Sequence, residues 1–287
     1  MYHEKMVRNA EVLQILLLDS LYAVSGSEAI YFQGGTALRW IYGGMRFSED
    51  LDFVTSLAPE QIHMILKKVY SRVNHACIAQ FGPGLLEQAL KKARNDAVKV
   101  FYIYRPLTQR ERIAVKLEFE PLKPGRLPTV KRVILRDLPA ITGLLSGGKL
   151  IMPYSSSIVM AQTAEELLSD KIRALFERPY LKGRDIYDIW WLTERMQVVP
   201  SWEQTKTKLD MYRSAFVPAR AADYFQKVSF LEDIIKAIVS DLPRFIPKDI
   251  YAVYQNDGFK TLTDALRKLT STLQAQGLDN HSLGYEG

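Results

Sequence analysis

One stretch punctuated by two glycine pairs, residues 29–53, constrains the fold of this chain most strongly. Its apolar run 29–32 predicts a strand, which the first glycine pair ends. Residues 36–42 predict a short helix, which the second glycine pair ends. Alternating apolar and polar residues over 50–53 then predict a half-buried strand, so the stretch reads strand, turn, helix, turn, strand.

The rest of the chain predicts an α+β protein, with a helix over 4–25 ahead of the strands and further helices after them. Further strands are expected at 98–104 and 112–120, the second of which alternates cleanly. A loop-rich region containing many Pro and Gly residues follows, and helical periodicity is then expected to dominate to the end. We therefore predict two domains, 1–156 and 157–287.

Asp50 and Asp52 share one face of the predicted strand, because side chains two apart point the same way. Two carboxylates so close repel unless a cation compensates, and Mg²⁺ prefers such oxygen ligands. Glu118 would add a third carboxylate if the two strands are neighbours. The alternative, favoured for an isolated Asp-x-Asp, is a half-exposed strand with a polar outer face.

Gly34 and Gly35 lie between a strand and a helix, where glycines let backbone N–H groups approach a phosphate. Ser48 precedes Asp50 by two residues and could donate to the same phosphate. The alternatives are an ordinary tight turn for the glycines and a helix or turn cap for the serine.

Lys171 lies at an unexpected position in a later helix. The capping-box pattern Thr163-Ala-Glu-Glu166 predicts a helix to about Glu177, and Lys171 falls within its apolar arc. A buried ammonium needs an anion, unless its stem reaches water along the edge of the core. Asp185, on the inward side of the next helix, could meet Lys171 or another active-site group, although an acid in a first turn also complements the helix dipole.

Basic residues are concentrated in 91–136, which has thirteen Lys or Arg and four Asp or Glu in a chain of net charge +6. Such an excess suits a phosphate-rich partner such as RNA or a nucleoside triphosphate, or forms a solvated face. No apolar run is long enough to span a bilayer, no signal peptide is visible, and Cys77 is the single cysteine. We therefore expect a cytoplasmic protein without membrane contact.

Several motifs together resemble the AbiEii/AbiGii nucleotidyltransferase toxin family, the toxin half of type IV toxin–antitoxin and phage-abortive-infection systems. The resemblance covers residues 30 to 195 and rests on GGTAL, YGGMRFSEDLDF, VKLEF and AEELLSDKIRALFERPYLKGRDIYDIWWL. It implies a DNA polymerase β-like nucleotidyltransferase core, with a small mixed sheet and flanking helices, followed by a mostly helical domain.

The resemblance also implies a role for each matching residue. The catalytic set is Asp50, Asp52, Glu118, Lys171 and Asp185, of which Asp50, Asp52 and Glu118 bind Mg²⁺ or Mn²⁺. The set that binds the nucleoside triphosphate is Gly34, Gly35, Thr36, Arg46, Ser48 and Lys171. Glu120 faces the same way as Glu118, so either could be the third acid.

The implied reaction transfers a nucleoside monophosphate to an acceptor, and some relatives modify the 3′ end of tRNA. The basic segment is compatible with an RNA acceptor, and the family implies a cognate antitoxin. Two alternatives stay open: a protein or small-molecule hydroxyl as acceptor, and a catalytically silent module that only binds a protein partner.

Overall fold

This computed structural model describes residues 4–91, 96–108, 110–151 and 157–285. The chain forms two compact units. Of the described residues, the sheet unit comprises those up to Gly43 together with Phe47–Gln162, and the helical unit comprises Gly44–Arg46 and those from Thr163 onward. The predicted boundary near residue 156 lies outside the described residues, and the division into 1–156 and 157–287 stays a prediction.

The sheet unit contains seven strands and four α-helices in the part of the chain that is described. In chain order they are α1 (Glu4–Tyr22), β1 (Ile30–Gln33), α2 (Gly34–Tyr42), β2 (Asp50–Thr55), α3 (Pro59–Phe81), β3 (Gly84–Lys91), β4 (Val98–Pro106), β5 (Ile113–Pro121), β6 (Val130–Ile134), α4 (Pro139–Ser146) and β7 (Ile158–Gln162). The strand order is β3-β4-β5-β2-β1-β7-β6. The β1–β7 and β2–β5 pairs are parallel and the others antiparallel, so the predicted mixed sheet with flanking helices is confirmed.

A row of aromatic rings in the core fixes the three strands that matter most for the site. Phe32 of β1, Phe53 of β2 and Phe119 of β5 are fully buried. The Phe32 and Phe53 ring centroids lie 5.4 Å apart, and those of Phe53 and Phe119 lie 5.0 Å apart in a stacked pair. Because side chains alternate along a strand, burying Phe53 turns its neighbour Asp52 to the opposite face. The hydrophobic core therefore determines which face carries the acids.

Five elements of the sheet unit were not predicted from the sequence, among them the short helix α4 in the Pro- and Gly-rich region. Helix α3 and strand β3 fill the stretch between the two predicted strands β2 and β4. Strands β6 and β7 lie in the region that was expected to be loop followed by helix, and they pair with each other in antiparallel fashion. Helix α2 begins at Gly34 itself rather than after the glycine pair. The sheet is consequently larger than predicted.

The described part of the helical unit contains seven α-helices. They are α5 (Ala164–Glu177), α6 (Gly183–Trp190), α7 (Trp202–Leu209), α8 (Leu231–Asp241), α9 (Lys248–Asn256), α10 (Lys260–Ala275) and α11 (Asn280–Leu283). Thr163 caps α5 as predicted, its side chain accepting a hydrogen bond from the Glu166 N–H at 3.4 Å. Within the described residues, no helix is both long and apolar enough to cross a membrane.

Part of the polar side of α5 is also buried, which was not predicted from the sequence. Glu166 is 5% exposed, and its carboxylate accepts a hydrogen bond of 2.7 Å from Lys208 of α7. Lys208 is itself 1% exposed and lies 3.2 Å from Asp170. A buried charge is tolerated when it is paired and hydrogen-bonded. Helix α5 therefore packs on two sides, one apolar and one made of ion pairs.

Candidate active site

Three predicted acids lie on adjacent strands of the sheet unit. Strand β2 carries Asp50 and Asp52, and the parallel strand β5 carries Glu118. Asp52 is the direct register partner of Glu118, whereas Glu120 lies opposite Val54. Register partners on neighbouring strands are separated by about 4.8 Å. The geometry thus favours Glu118 over Glu120 as the acid that accompanies Asp52.

Two lysines neutralise this group of acids. The Lys116 ammonium lies 2.8 Å from Asp50 Oδ2 and 3.1 Å from Glu118 Oε2. The Lys99 ammonium, on strand β4, lies 2.5 Å from Glu118 Oε1. Burial raises the pKa of Glu118, but the two lysines outweigh it and hold that pKa below its usual value. Glu118 is therefore a carboxylate at neutral pH.

Gly34 forms a close backbone approach beside Asp52. Its φ of +78° is a left-handed conformation that favours glycine. A Cβ at this position would lie 2.5 Å from Asp52 Oδ2 and 3.0 Å from Asp52 Cβ. Only glycine fits here without moving the Asp52 carboxylate. The first glycine of the pair thus permits this close approach, and its role in phosphate binding stays a prediction.

Hydrogen bonds also hold the chain that leads into β2. The Thr36 hydroxyl, fully buried at the start of α2, donates to the Asp50 carbonyl. The Gln14 side chain donates to the Ser48 carbonyl at 2.6 Å, and the Trp40 indole N–H donates to Gln14 at 3.2 Å. Ser48 is 9% exposed. Helices α1 and α2 therefore determine where the Asp-x-Asp strand begins.

Lys171 meets two carboxylates within the helical unit. Its ammonium lies 2.7 Å from Asp185 Oδ1 and 2.7 Å from Asp188 Oδ2, both on α6. Lys171 is 9% exposed and Asp188 is fully buried. The sequence left open whether Asp185 meets Lys171 or another group, and the structure shows the contact with Lys171. Arg178 is a further partner of Asp185.

Arg46 belongs to the same buried group of charges. Its Nε and Nη2 atoms donate to the two oxygens of Asp188, each at 2.5 Å, and the residue is 4% exposed. Burial raises the pKa of Asp188, but Arg46 and Lys171 outweigh it and lower that pKa. Asp188 was absent from the predicted site set. Its position three residues after Asp185, on the adjacent edge of the helix, was the signal that could have found it. The assignment of Arg46 as a nucleotide ligand stays a prediction.

The acids on β2 and β5 have the donor chemistry for a hard divalent cation, because carboxylate oxygens are the ligands Mg²⁺ prefers. Gly34 leaves room beside one Asp52 oxygen. Throughout the described ranges, however, no group of three or more His, Cys, Asp or Glu side chains is arranged to hold a metal ion. Asp50 and Glu118 are instead turned toward Lys116. The donor chemistry of these residues therefore suits a divalent cation, while in this structure Asp50 and Glu118 pair with Lys116.

A cavity of about 390 Å³ in the sheet unit lies away from these acids. Its lining includes Ser27 and Glu28, which precede β1, together with Arg132 and Ile158. Gly34 follows the opposite end of the same strand. The cavity is therefore not part of the acid site.

The fold and the sequence together define a class and then a family. A mixed sheet with acids on adjacent strands, beside a helix that opens on glycine, is the arrangement expected of a nucleotidyltransferase. The family described as "Nucleotidyl transferase AbiEii toxin, Type IV TA system" matches residues 15–270. The chain therefore belongs to the AbiEii family, as its motifs predicted, and is a nucleotidyltransferase toxin.

Two crystal structures resemble this chain over nearly their whole length. The "putative nucleotidyltransferase from H. pylori" has a TM-score of 0.52 at 17% identity and is aligned over 96% of this chain and 95% of its own. JHP933 from Helicobacter pylori has a TM-score of 0.51 at 16% identity, over 96% and 93% of the two chains. Identities this low show the fold alone. Among curated proteins, none matches this chain.

Proposed function

We propose that this toxin is a Mg²⁺-dependent enzyme with a polymerase β-like core that transfers a nucleoside monophosphate from a nucleoside triphosphate to RNA, at the 3′ end of tRNA. The observation that carries the proposal is the direct register of Asp52 with Glu118, beside a glycine that leaves the Asp52 carboxylate room. We place its action in the cytoplasm, opposed by a cognate antitoxin.

The strand acids hold the cation in this proposal. Asp50, Asp52 and Glu118 would bind Mg²⁺ or Mn²⁺, which as a Lewis acid would neutralise charge on the triphosphate. The acceptor hydroxyl forms a new bond to the α-phosphorus while the bond to the β-phosphate oxygen breaks, and pyrophosphate leaves. Glu118 places the attacking hydroxyl or takes its proton.

The glycine-opened helix α2 supplies the phosphate cradle. The N-cap residue Gln33 makes no side-chain capping hydrogen bond, so the N–H groups of the first turn are not capped by that side chain. Helix N-termini attract anions through such N–H groups and through the helix dipole. We assign Gly34, Gly35 and Ser48 to the triphosphate. Thr36 acts by holding Asp50 in place, since its hydroxyl donates to the Asp50 carbonyl.

Lys171 neutralises the charge that builds on the leaving pyrophosphate. An ammonium has three N–H donors, and Asp185 and Asp188 each engage one at 2.7 Å. We assign the third donor to the pyrophosphate. Asp185 orients the ammonium, and Arg46 fixes Asp188, through which it assists nucleotide binding.

An RNA acceptor is supported by the basic segment 91–136. Among the described residues of this segment, seven arginines and lysines are exposed: Lys91, Arg105, Arg110, Arg112, Arg126, Arg132 and Arg136. Exposed cations bind phosphates regardless of base sequence, and each phosphate contact releases counterions. Acceptor binding should therefore weaken steeply between low and moderate salt, whereas binding of a small-molecule acceptor should change little.

The test is to incubate the protein with total RNA and each labelled nucleoside triphosphate. Label should appear on tRNA, and Asp52→Asn should lower the rate about a hundredfold or more, as expected for loss of transition-state charge stabilisation. Glu118→Gln should lower it similarly, whereas Glu120→Gln serves as the matched control on the same strand. Label on protein or on small molecules would replace the RNA proposal, and no label on any acceptor would favour the silent binding module.

A further inference from the structure

An ammonium lies between the acids that the proposed function assigns to a metal ion. Lys116 is the register partner of Asp50 and precedes Glu118 by two residues on β5. Its Nζ atom lies 2.8 Å from Asp50 Oδ2 and 3.1 Å from Glu118 Oε2. One side chain therefore engages an acid from each strand.

A second ammonium completes the neutralisation of Glu118 only. Lys99 is the β4 register partner of Glu118 and lies 2.5 Å from its Oε1 atom. The two oxygens of Glu118 are thus occupied by two different lysines. Lys116 contacts two acids, whereas Lys99 contacts one. Variants of the two lysines can therefore be compared within the same site.

We propose that Lys116 is an internal counter-cation that a divalent metal ion must displace before the site becomes active. This inference rests on the proposed metal site at Asp50, Asp52 and Glu118. Mg²⁺ binds carboxylate oxygens at about 2.0–2.1 Å and tolerates little distortion. An ammonium and a divalent cation on the same pair of oxygens would lie a few ångströms apart and repel each other strongly. Metal entry is therefore an exchange of cations, and Lys116 sets its affinity.

The partial exposure of these side chains distinguishes the proposed exchange of cations from a purely structural role of Lys116. The Lys116, Asp50 and Glu118 side chains are 25%, 35% and 27% exposed. Ion pairs that remain in contact with solvent contribute little to folding, about 0–1 kcal/mol. Removing Lys116 should consequently leave the fold nearly intact while it frees two carboxylates for the metal. A structural role alone would lower stability and leave metal affinity unchanged.

The experiment measures Mn²⁺ binding to the full-length protein by calorimetry and by the electron paramagnetic resonance signal of free Mn²⁺. Lys116→Met should bind Mn²⁺ about tenfold more tightly than the native protein, because one positive charge has left the immediate surroundings of the acids. Lys99→Met should show a smaller gain. Lys68→Met, which removes an exposed lysine on α3, should bind as the native protein does. Lys116→Gln repeats the test if Lys116→Met does not fold.

Asp52→Asn separates the inference from the proposed function. Loss of Mn²⁺ binding in Asp52→Asn together with tighter binding in Lys116→Met supports both. Loss in Asp52→Asn with unchanged or weaker binding in the lysine variants overturns the inference and leaves the metal site standing. Native protein that binds no Mn²⁺, with lysine variants that also bind none, overturns both.

Discussion

Two groups of carboxylates and cations in this protein use the same chemistry in different surroundings. The group on the strands, around Asp50 and Glu118, keeps about a third of each side chain in contact with solvent. The group on the helices, around Lys171 and Asp188, is almost entirely buried. Exposed ion pairs exchange partners at little cost, whereas a buried pair that loses one member leaves an uncompensated charge. The first group is suited to taking up ligands, and the second to holding one side chain in one position.

The largest effect expected from this comparison follows removal of a buried carboxylate. Asp188→Ala leaves Arg46 and Lys171 without a shared partner and should lower the free energy of unfolding by about 3–5 kcal/mol. Urea unfolding followed by tryptophan fluorescence measures it, because Trp190, Trp191 and Trp202 all lie in the helical unit. Asp233→Asn, an exposed acid on α8, is the control and should change stability by less than about 0.5 kcal/mol. Equal free energies of unfolding for Asp188→Ala and Asp233→Asn would contradict the expected difference between buried and exposed carboxylates.

A smaller effect is expected on the strand side, where geometry matters more than charge. Gly34→Ala forces alanine into a left-handed conformation, costing about 1–2 kcal/mol, and also displaces the Asp52 carboxylate. Gly43→Ala is a matched control, since its φ is +72° but a Cβ there would meet nothing within 4 Å. Both variants should lose similar stability, and only Gly34→Ala should lose most of its Mn²⁺ affinity and transferase activity. Equal metal affinity in the two would show that the close approach to Asp52 has no functional role.

The smallest expected effect is a dependence of the stability of the helical unit on pH. Burial raises the pKa of Asp185, but Lys171 and Arg178 outweigh it and hold that pKa well below its usual value. A lowered carboxyl pKa adds stability that is complete above the unfolded value, about pH 4, and is lost as the pH falls toward the folded value. Native protein should therefore lose more stability between pH 5 and pH 3 than Asp185→Asn, as measured by urea unfolding. Parallel losses would mean that Asp185 is not held as a carboxylate by its neighbours.

Local patterns were enough to predict the strands that carry the acids. The alternation that defines β5 placed Glu118 on the polar face, and the spacing of Asp50 and Asp52 placed both on one face of β2. The sequence could not show that β2 and β5 are neighbours, because their pairing joins segments more than sixty residues apart. Hydrophobic periodicity shows which residues share a face of a strand, but it does not show which other strand pairs with it.

The features that the sequence did not predict depend on tertiary contacts. Strand β7 is five residues long and follows a Pro- and Gly-rich region, so its apolar run could not be told from the start of a helix. Lys116 lies on the same face of β5 as Glu118, but its contact with Asp50 could not be predicted, because that contact exists only once β2 pairs with β5. The hydrogen bond between Glu166 and Lys208 likewise joins residues 42 positions apart, so no local pattern predicts it.

The route of the chain has a consequence for dissecting this enzyme. Residues Gly44–Arg46 leave the sheet unit, join the helical unit and return at Phe47, more than a hundred residues before the chain enters the helical unit again at Thr163. No single cut of the polypeptide separates the two units completely. A fragment ending at Gln162 would still contain Arg46, whose partner Asp188 would be on the other fragment. We therefore expect the chain from Thr163 onward, expressed alone, to lack the Arg46–Asp188 ion pair.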